Sequence, residues 1–152
     1  MAGYDRADPV IMGHVLAQHR ELHDQLTAVR HAFAASAATL PDRPAVVHDR
    51  LTELRDHLRS HFRQEEAGGF MEESLARMPR LARAAHEVLA QHPLLLTEID
   101  RAIALLPAEE GPADEWAKAS DAFECLAAHL LDHERQENAV VQEGYNEDLG
   151  LG

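Results

Sequence analysis

Apolar residues recur three and four positions apart along most of this chain, and no stretch alternates with period two over the length of a strand, which predicts an all-helical fold. The first helix is expected to open at Asp8 and Pro9, an N-cap followed by a proline at the first helical position. Its stripe of Val15, Leu22, Leu26, Val29 and Phe33 runs toward Leu40 and Pro41. The second begins near Pro44 and carries Val47, Leu51, Leu54, Leu58 and Phe62 on one face before Gly68 and Gly69 stop it. After a connector, FMEESLARM, a third helix starts near Pro79 and continues through Leu81, Val88, Leu95, Ile99 and Leu106 to Pro107. Pro93 interrupts it: the missing N–H frees the carbonyl of Leu89, so a kink or restart is expected beside His92. The fourth follows the loop AEEGPADE, turns Trp116, Phe123, Leu126, Leu130 and Val140 inward, and ends in a glycine-containing tail expected to be flexible.

Four long helices with short links imply an antiparallel up-down-up-down four-helix bundle. With 152 residues the chain is expected to form a single domain over residues 1–152, its core spanning about 10–143. No run approaches the roughly 18 apolar residues of a membrane span. The formal charge of −13 opposes binding to nucleic acid or to an anionic membrane. Cys125 is the only cysteine, which leaves no disulfide framework or thiolate zinc site, and it reads as a small core side chain of the fourth helix. The N-terminal residues lack the apolar segment of a signal peptide, so a cytoplasmic location is expected. An arginine-to-lysine ratio of 13 to 1 fits a GC-rich bacterial genome.

Histidine is unusually frequent, with 11 copies, and the copies are ordered. His57, His61 and Glu65 recur as His129, His133 and Glu137 at a constant offset of 72 residues. Even the filler matches, HFRQE against HERQE, and Leu54 and Leu58 map onto Leu126 and Leu130. The flanking helices correspond as well: AQHREL around His19 matches AQHPLL around His92 at an offset of 73. The bundle is therefore expected to be two copies of one helical hairpin. Residues four apart on a helix differ by about 40° in direction and about 6 Å in height, so His61 with Glu65, and His133 with Glu137, can serve one metal or share a pair. In such a bundle His19 and His92 reach the same layer. Six side chains, His19, His61, Glu65, His92, His133 and Glu137, would then converge as ligands suited to iron, manganese or zinc. Two metals about 3.5 Å apart, bridged by Glu65 and Glu137, satisfy them most simply. A single His-xxx-Glu arises easily on a solvated helix face. Two at matched offsets, each with a matched upstream histidine, do not, and burying six ionisable groups without a metal costs several kcal/mol per ion.

These residues resemble the hemerythrin-like domains, also called HHE cation-binding domains, whose pattern is His, HxxxE, His, HxxxE: here His19, His61 with Glu65, His92, and His133 with Glu137. The resemblance covers residues from about 10 to 143. It implies a four-helix bundle holding two iron ions with a bridging oxo or hydroxo group; the spacing alone does not choose the metal. The chain departs from oxygen-carrying hemerythrins, which have a fifth histidine four residues further along helix three, where Leu96 stands here, and an Asp five residues after the helix-four histidine. His23, His57, His86 and His129 are candidates for the additional imidazole, each with an ordinary second-layer or surface role as the alternative. Glu134, five after His129, matches the Asp spacing but is expected to face solvent. Tyr145 is a further candidate ligand. His14, His31 and His48 read as surface residues, Arg63 and Arg135 as partners of nearby carboxylates, and the AEEGPADE loop as solvated.

Four imidazoles and two carboxylates leave open positions on two metals. The expected function is therefore a non-heme di-iron protein that binds or reacts with a small oxidant (dioxygen, peroxide or nitric oxide), with peroxide disproportionation as the enzymatic activity to test. Two alternatives stand beside it: an iron- or oxygen-sensing regulatory module whose metal stabilises the fold, and a di-iron oxygenase, which would need a wider pocket for a small organic substrate. A protein partner is not specified by the sequence.

Overall fold

The computed structural model describes residues 9–36, 38–68 and 79–148, with side chains within 16–143 of those ranges. Five helices occur among the described residues, and no strand: α1 (Pro9–Ala34), α2 (Arg43–Gly68), α3 (Pro79–Leu89), α4 (His92–Ala104) and α5 (Ala113–Asp148). The expected third helix is thus two helices. Ala90 N–H donates to His86 and Gln91 N–H to Val88, tightening the last turn of α3, and α4 restarts with Pro93 in its first turn, where a missing N–H costs nothing. This restart places Gln91 and His92 at the head of α4.

The first helix stops at Ala34, short of Leu40. Ser36 and Thr39 divert the backbone: Ser36 N–H donates to Thr39 Oγ1 and Thr39 N–H to Ser36 Oγ, local bonds that compete with helix continuation. Arg43 then closes the end of α1. Its Nη1 donates to the carbonyls of Phe33 and Ala35 at 3.1 and 2.9 Å, while Nε and Nη2 grip both oxygens of Glu110 and the guanidinium stacks over Trp116. The loop AEEGPADE is exposed as expected, and Glu110 within it also ties the loop to α2.

α1 touches α2 and α5, α4 touches α2 and α5, and α3 packs on α5, making a helical bundle. The apolar stripes face inward as the periodicity predicts. Leu22, Leu26, Val29, Val47, Leu51, Leu54, Leu58, Phe62, Leu95, Ile99, Trp116, Phe123, Leu126 and Leu130 form one buried cluster, with Phe33 and Leu106 partly buried against it. Leu81, Ala85, Val88 and Val140 form a second. Along α5 the larger cluster ends at Leu130 and the smaller begins at Val140, so His133 and Glu137 lie between two apolar regions. The side chains of Val15, His14 and Tyr145, the connector FMEESLARM and the terminal tail lie outside the described residues. No described helix is long and apolar enough to cross a membrane.

Candidate metal centre

Four helices deliver the polar interior: α1 supplies His19, α2 His61 and Glu65, α4 His92, and α5 His133 and Glu137. Each is at most 5% exposed. All six sequence-predicted residues come together, in two groups whose potential ligand atoms lie within 4.8 Å of one another: His19, His61 and Glu137 in one, Glu65, His92, His133 and Glu137 in the other.

The carboxylates face both groups. Glu137 Oε1 lies 3.2 Å from His19 Nε2 and 3.9 Å from His61 Nε2, while its Oε2 lies 3.4 Å from His133 Nε2. Glu65 Oε1 contacts His61 Nε2, and its Oε2 lies 3.4 Å from His92 Nε2. Each carboxylate thus offers one oxygen toward His61 or the His19–His61 pair and the other toward His92 or His133.

The outward faces of the rings are held separately. Nδ1–H of His61 donates to Gln18 Oε1, that of His92 to Glu66 Oε1 at 2.9 Å, and that of His133 to Gln91 Oε1 at 2.8 Å. Phe62 stacks on His92 and meets His133 edge-on. With Nδ1 occupied as a donor, Nε2 of a neutral imidazole is a lone pair pointing inward. His92 Nε2, His133 Nε2, both oxygens of Glu65, Glu137 Oε2 and both nitrogens of His19 are buried without a hydrogen-bond partner. Such a concentration of unsatisfied atoms costs about 1–3 kcal/mol for each group, and a cation among them offsets that cost. The residues therefore fit a metal.

The electrostatics agree with a site that attracts positive charge. Burial works to lower the pKa of His19, but Glu137, Glu134 and Glu65 raise it above 6.5. Burial opposes the charged form of His92 likewise, and Glu65 and Glu66 raise it. Burial alone would raise the Glu137 carboxyl, yet His133, His19 and His61 hold it far below the ordinary carboxylate value.

No family model, curated protein or solved structure matches this chain.

The other candidate ligands stand apart from both groups. His23 is exposed and donates from Nε2 to Glu134 Oε2 at 2.6 Å. His129 is exposed and bonds Glu98 at 2.8 Å. His86 is exposed, as are His31 and His48. His57 is partly buried, with Nδ1 3.9 Å from Glu21; burial pushes its pKa down. Glu134 corrects the sequence expectation: it is 5% exposed, because its position turns toward α1, where His23 covers it. Cys125 is also corrected. It is exposed, since the inward face of α5 is taken by Phe123, Leu126 and Ala127 and the intervening position falls outside the core. Arg63 is exposed, and Arg135 lies 3.9 Å from Asp132. A cleft of about 780 Å³ between α1 and α5 is lined by Leu16, His19, His23, Leu131, Glu134 and Asn138 among others. The residues that the sequence reading passed over are Gln18, Gln91 and Glu66, although the matched filler around the histidines contained the two glutamines.

Proposed function

We propose that this chain is a non-heme di-iron protein of the hemerythrin-like kind, a bundle of two repeated hairpins running up-down-up-down that binds or reacts with dioxygen, peroxide or nitric oxide. The observation that carries this reading is the pair of carboxylates, Glu65 and Glu137, each with one oxygen toward either group of imidazoles. The pairing of Gln18 with Gln64, His23 with Glu134 and Arg30 with Glu124 supports the alternating helix directions.

His19 and His61 would hold one ion and His92 and His133 the other, with Glu65 and Glu137 between them. Bound there, two irons supply one-electron chemistry and positions not filled by protein at which a small oxidant can attach. Apolar side chains flank the six residues along the bundle: Phe62, Leu58, Leu95 and Leu130 belong to one buried cluster and Val88 and Val140 to the other. The low pKa of Glu137 keeps it an anion when the ions are lost, so the site is ready to recapture them.

Protein expressed with iron available is expected to carry close to two irons per chain, with near-ultraviolet ligand-to-iron absorption that changes on adding the oxidant it uses. A preparation that takes up one zinc and no iron overturns the proposal.

The cleft beside His19 favours a second reading, an oxygenase for a small organic molecule, because a diatomic gas does not need about 780 Å³. Oxidation of added alcohols or phenols by the iron-loaded protein would separate it from the first.

A further inference from the structure

The two halves of the chain also match at residues that ligation leaves unused: a glutamine before His19 and before His92, and a glutamine before Glu65 and before Glu137. The four glutamines make the same two-step chain twice. On one side Gln91 Oε1 accepts from His133 Nδ1–H at 2.8 Å, and Gln91 Nε2 donates to Gln136 Oε1 at 2.8 Å. On the other, Gln18 Oε1 accepts from His61 Nδ1–H, and Gln18 Nε2 donates to Gln64 Oε1 at 2.9 Å.

The direction of the first chain is fixed from its outer end. Gln136 Nε2 donates to Asp132 Oδ2 at 2.8 Å, and a carboxylate only accepts. That turns Gln136 Oε1 toward Gln91, which must answer with its Nε2. The atom of Gln91 left facing His133 is therefore Oε1, and an oxygen there requires the imidazole proton on Nδ1. A neutral ring has one such proton, so Nε2 of His133 is left as a lone pair, buried and 3.4 Å from Glu137 Oε2. Ser60 stands at the repeat position of Asp132, so the second chain has no carboxylate at the corresponding place.

We infer that Gln18 and Gln91, held by Gln64 and Gln136, are positioning residues that fix the tautomers of His61 and His133 so that each presents a bare Nε2 to a metal. The purpose rests on the metal reading, but the tautomer does not, and it can be read in the metal-free protein. Ring partners of this kind typically govern metal affinity by 10- to 100-fold.

The test is long-range proton–nitrogen NMR of histidine-labelled, metal-free protein at a pH where the imidazoles are neutral, paired with titration by cobalt(II). Nδ1–H tautomers are expected at His61 and His133. Gln91→Leu and Gln18→Leu should each release the tautomer of the facing ring and weaken cobalt(II) binding about 10- to 100-fold. Gln91→Glu, which keeps an accepting oxygen against Nδ1, should retain both. Gln136→Leu, farther from the centre, should shift the His133 tautomer in the same direction. Nε2–H at His61 and His133 together with tight cobalt(II) binding overturns the positioning role alone, as do leucine variants with unchanged tautomer and affinity. Nδ1–H tautomers in a protein that takes up no transition metal overturn the metal reading, and the positioning role with it.

Discussion

The ring of Phe62 lies flat on the imidazole of His92, centroids 3.8 Å apart and planes 6° from parallel. The same ring presents its edge to His133 at 5.6 Å. One member of the apolar stripe of α2 is thus both core and a wall of the polar interior, and it limits the rotation of two of the four imidazoles. Phe62→Ala should cost about 3–5 kcal/mol in urea unfolding of the metal-free protein, whereas Phe62→Leu should cost less and still weaken metal uptake, because a leucine fills space without presenting a flat face. Unchanged metal affinity in the leucine variant would show that the stacking has no positioning effect.

Glu65 and Glu137 each face both histidine pairs, while His57 and His129 stand outside the groups. Replacing either glutamate with alanine should remove roughly half or more of the bound metal, since each carboxylate has an oxygen beside both histidine pairs. His129→Ala should leave the metal content unchanged and His57→Ala should change it little. Elemental analysis of the four variants side by side decides the matter; equal losses in all four would mean that the donor set extends beyond the six buried residues.

Much of this arrangement was legible in the sequence because the signals were periodic or repeated. The apolar stripes place Leu51, Leu54, Leu58 and Phe62, or Phe123, Leu126 and Leu130, on single faces, and the 72- and 73-residue offsets pick out the four buried histidines with Glu65 and Glu137 from a chain with 11 histidines, although they also pick out His57 and His129, which stand outside the centre. What stayed hidden depends on contacts between distant segments. Glu134 and His129 look equally polar in sequence, yet one is covered by His23 and the other bonds Glu98 at the surface. Cys125 shows the limit of composition: an apolar-leaning residue one position from Leu126 is about 100° away from it around the helix. The bonds between Ser36 and Thr39 that follow α1 are a local feature that periodicity does not register.

Arg43 holds two carbonyls of α1, both oxygens of Glu110 and the face of Trp116. Its guanidinium lowers the pKa of the Glu110 carboxyl through the same hydrogen bonds. Arg43→Ala should lower stability by about 2–3 kcal/mol, and Arg43→Lys should recover little, since an ammonium cannot reproduce the planar fork. Thermal unfolding of both variants checks this. A lysine variant as stable as the parent would reduce the contact to simple charge.

Cys125 is exposed and lines a groove of about 540 Å³ between α4 and α5 with Glu98, Lys118 and His129. The native protein should therefore react with a water-soluble disulfide reagent without first unfolding, and the metal content should survive the modification. A thiol that reacts only in denaturant would restore it to the core.

The pH dependence of stability should reverse when metal is bound. In the metal-free protein His19 and His92 have pKa values raised above 6.5 by the carboxylates around them. The folded state therefore holds their protons more tightly than the unfolded state, and the stability this provides is fully present below 6.5 and is lost as pH rises through the folded values. Glu137 works on the acid side: its depressed pKa contributes stability above its ordinary value of 4.5 that disappears as pH falls. His57, whose pKa burial lowers, works the other way and subtracts stability below 6.5. Metal-free protein should accordingly be most stable between about pH 4.5 and 6.5 and weaken toward alkaline pH. Bound metal requires the same imidazoles without their inward protons, so its affinity, and the stability it adds, should grow over the interval in which the metal-free protein weakens. Urea unfolding at a series of pH values, with saturating metal and with chelator, should give curves that diverge as pH rises. Parallel curves would mean that metal and protons do not compete for His19 and His92.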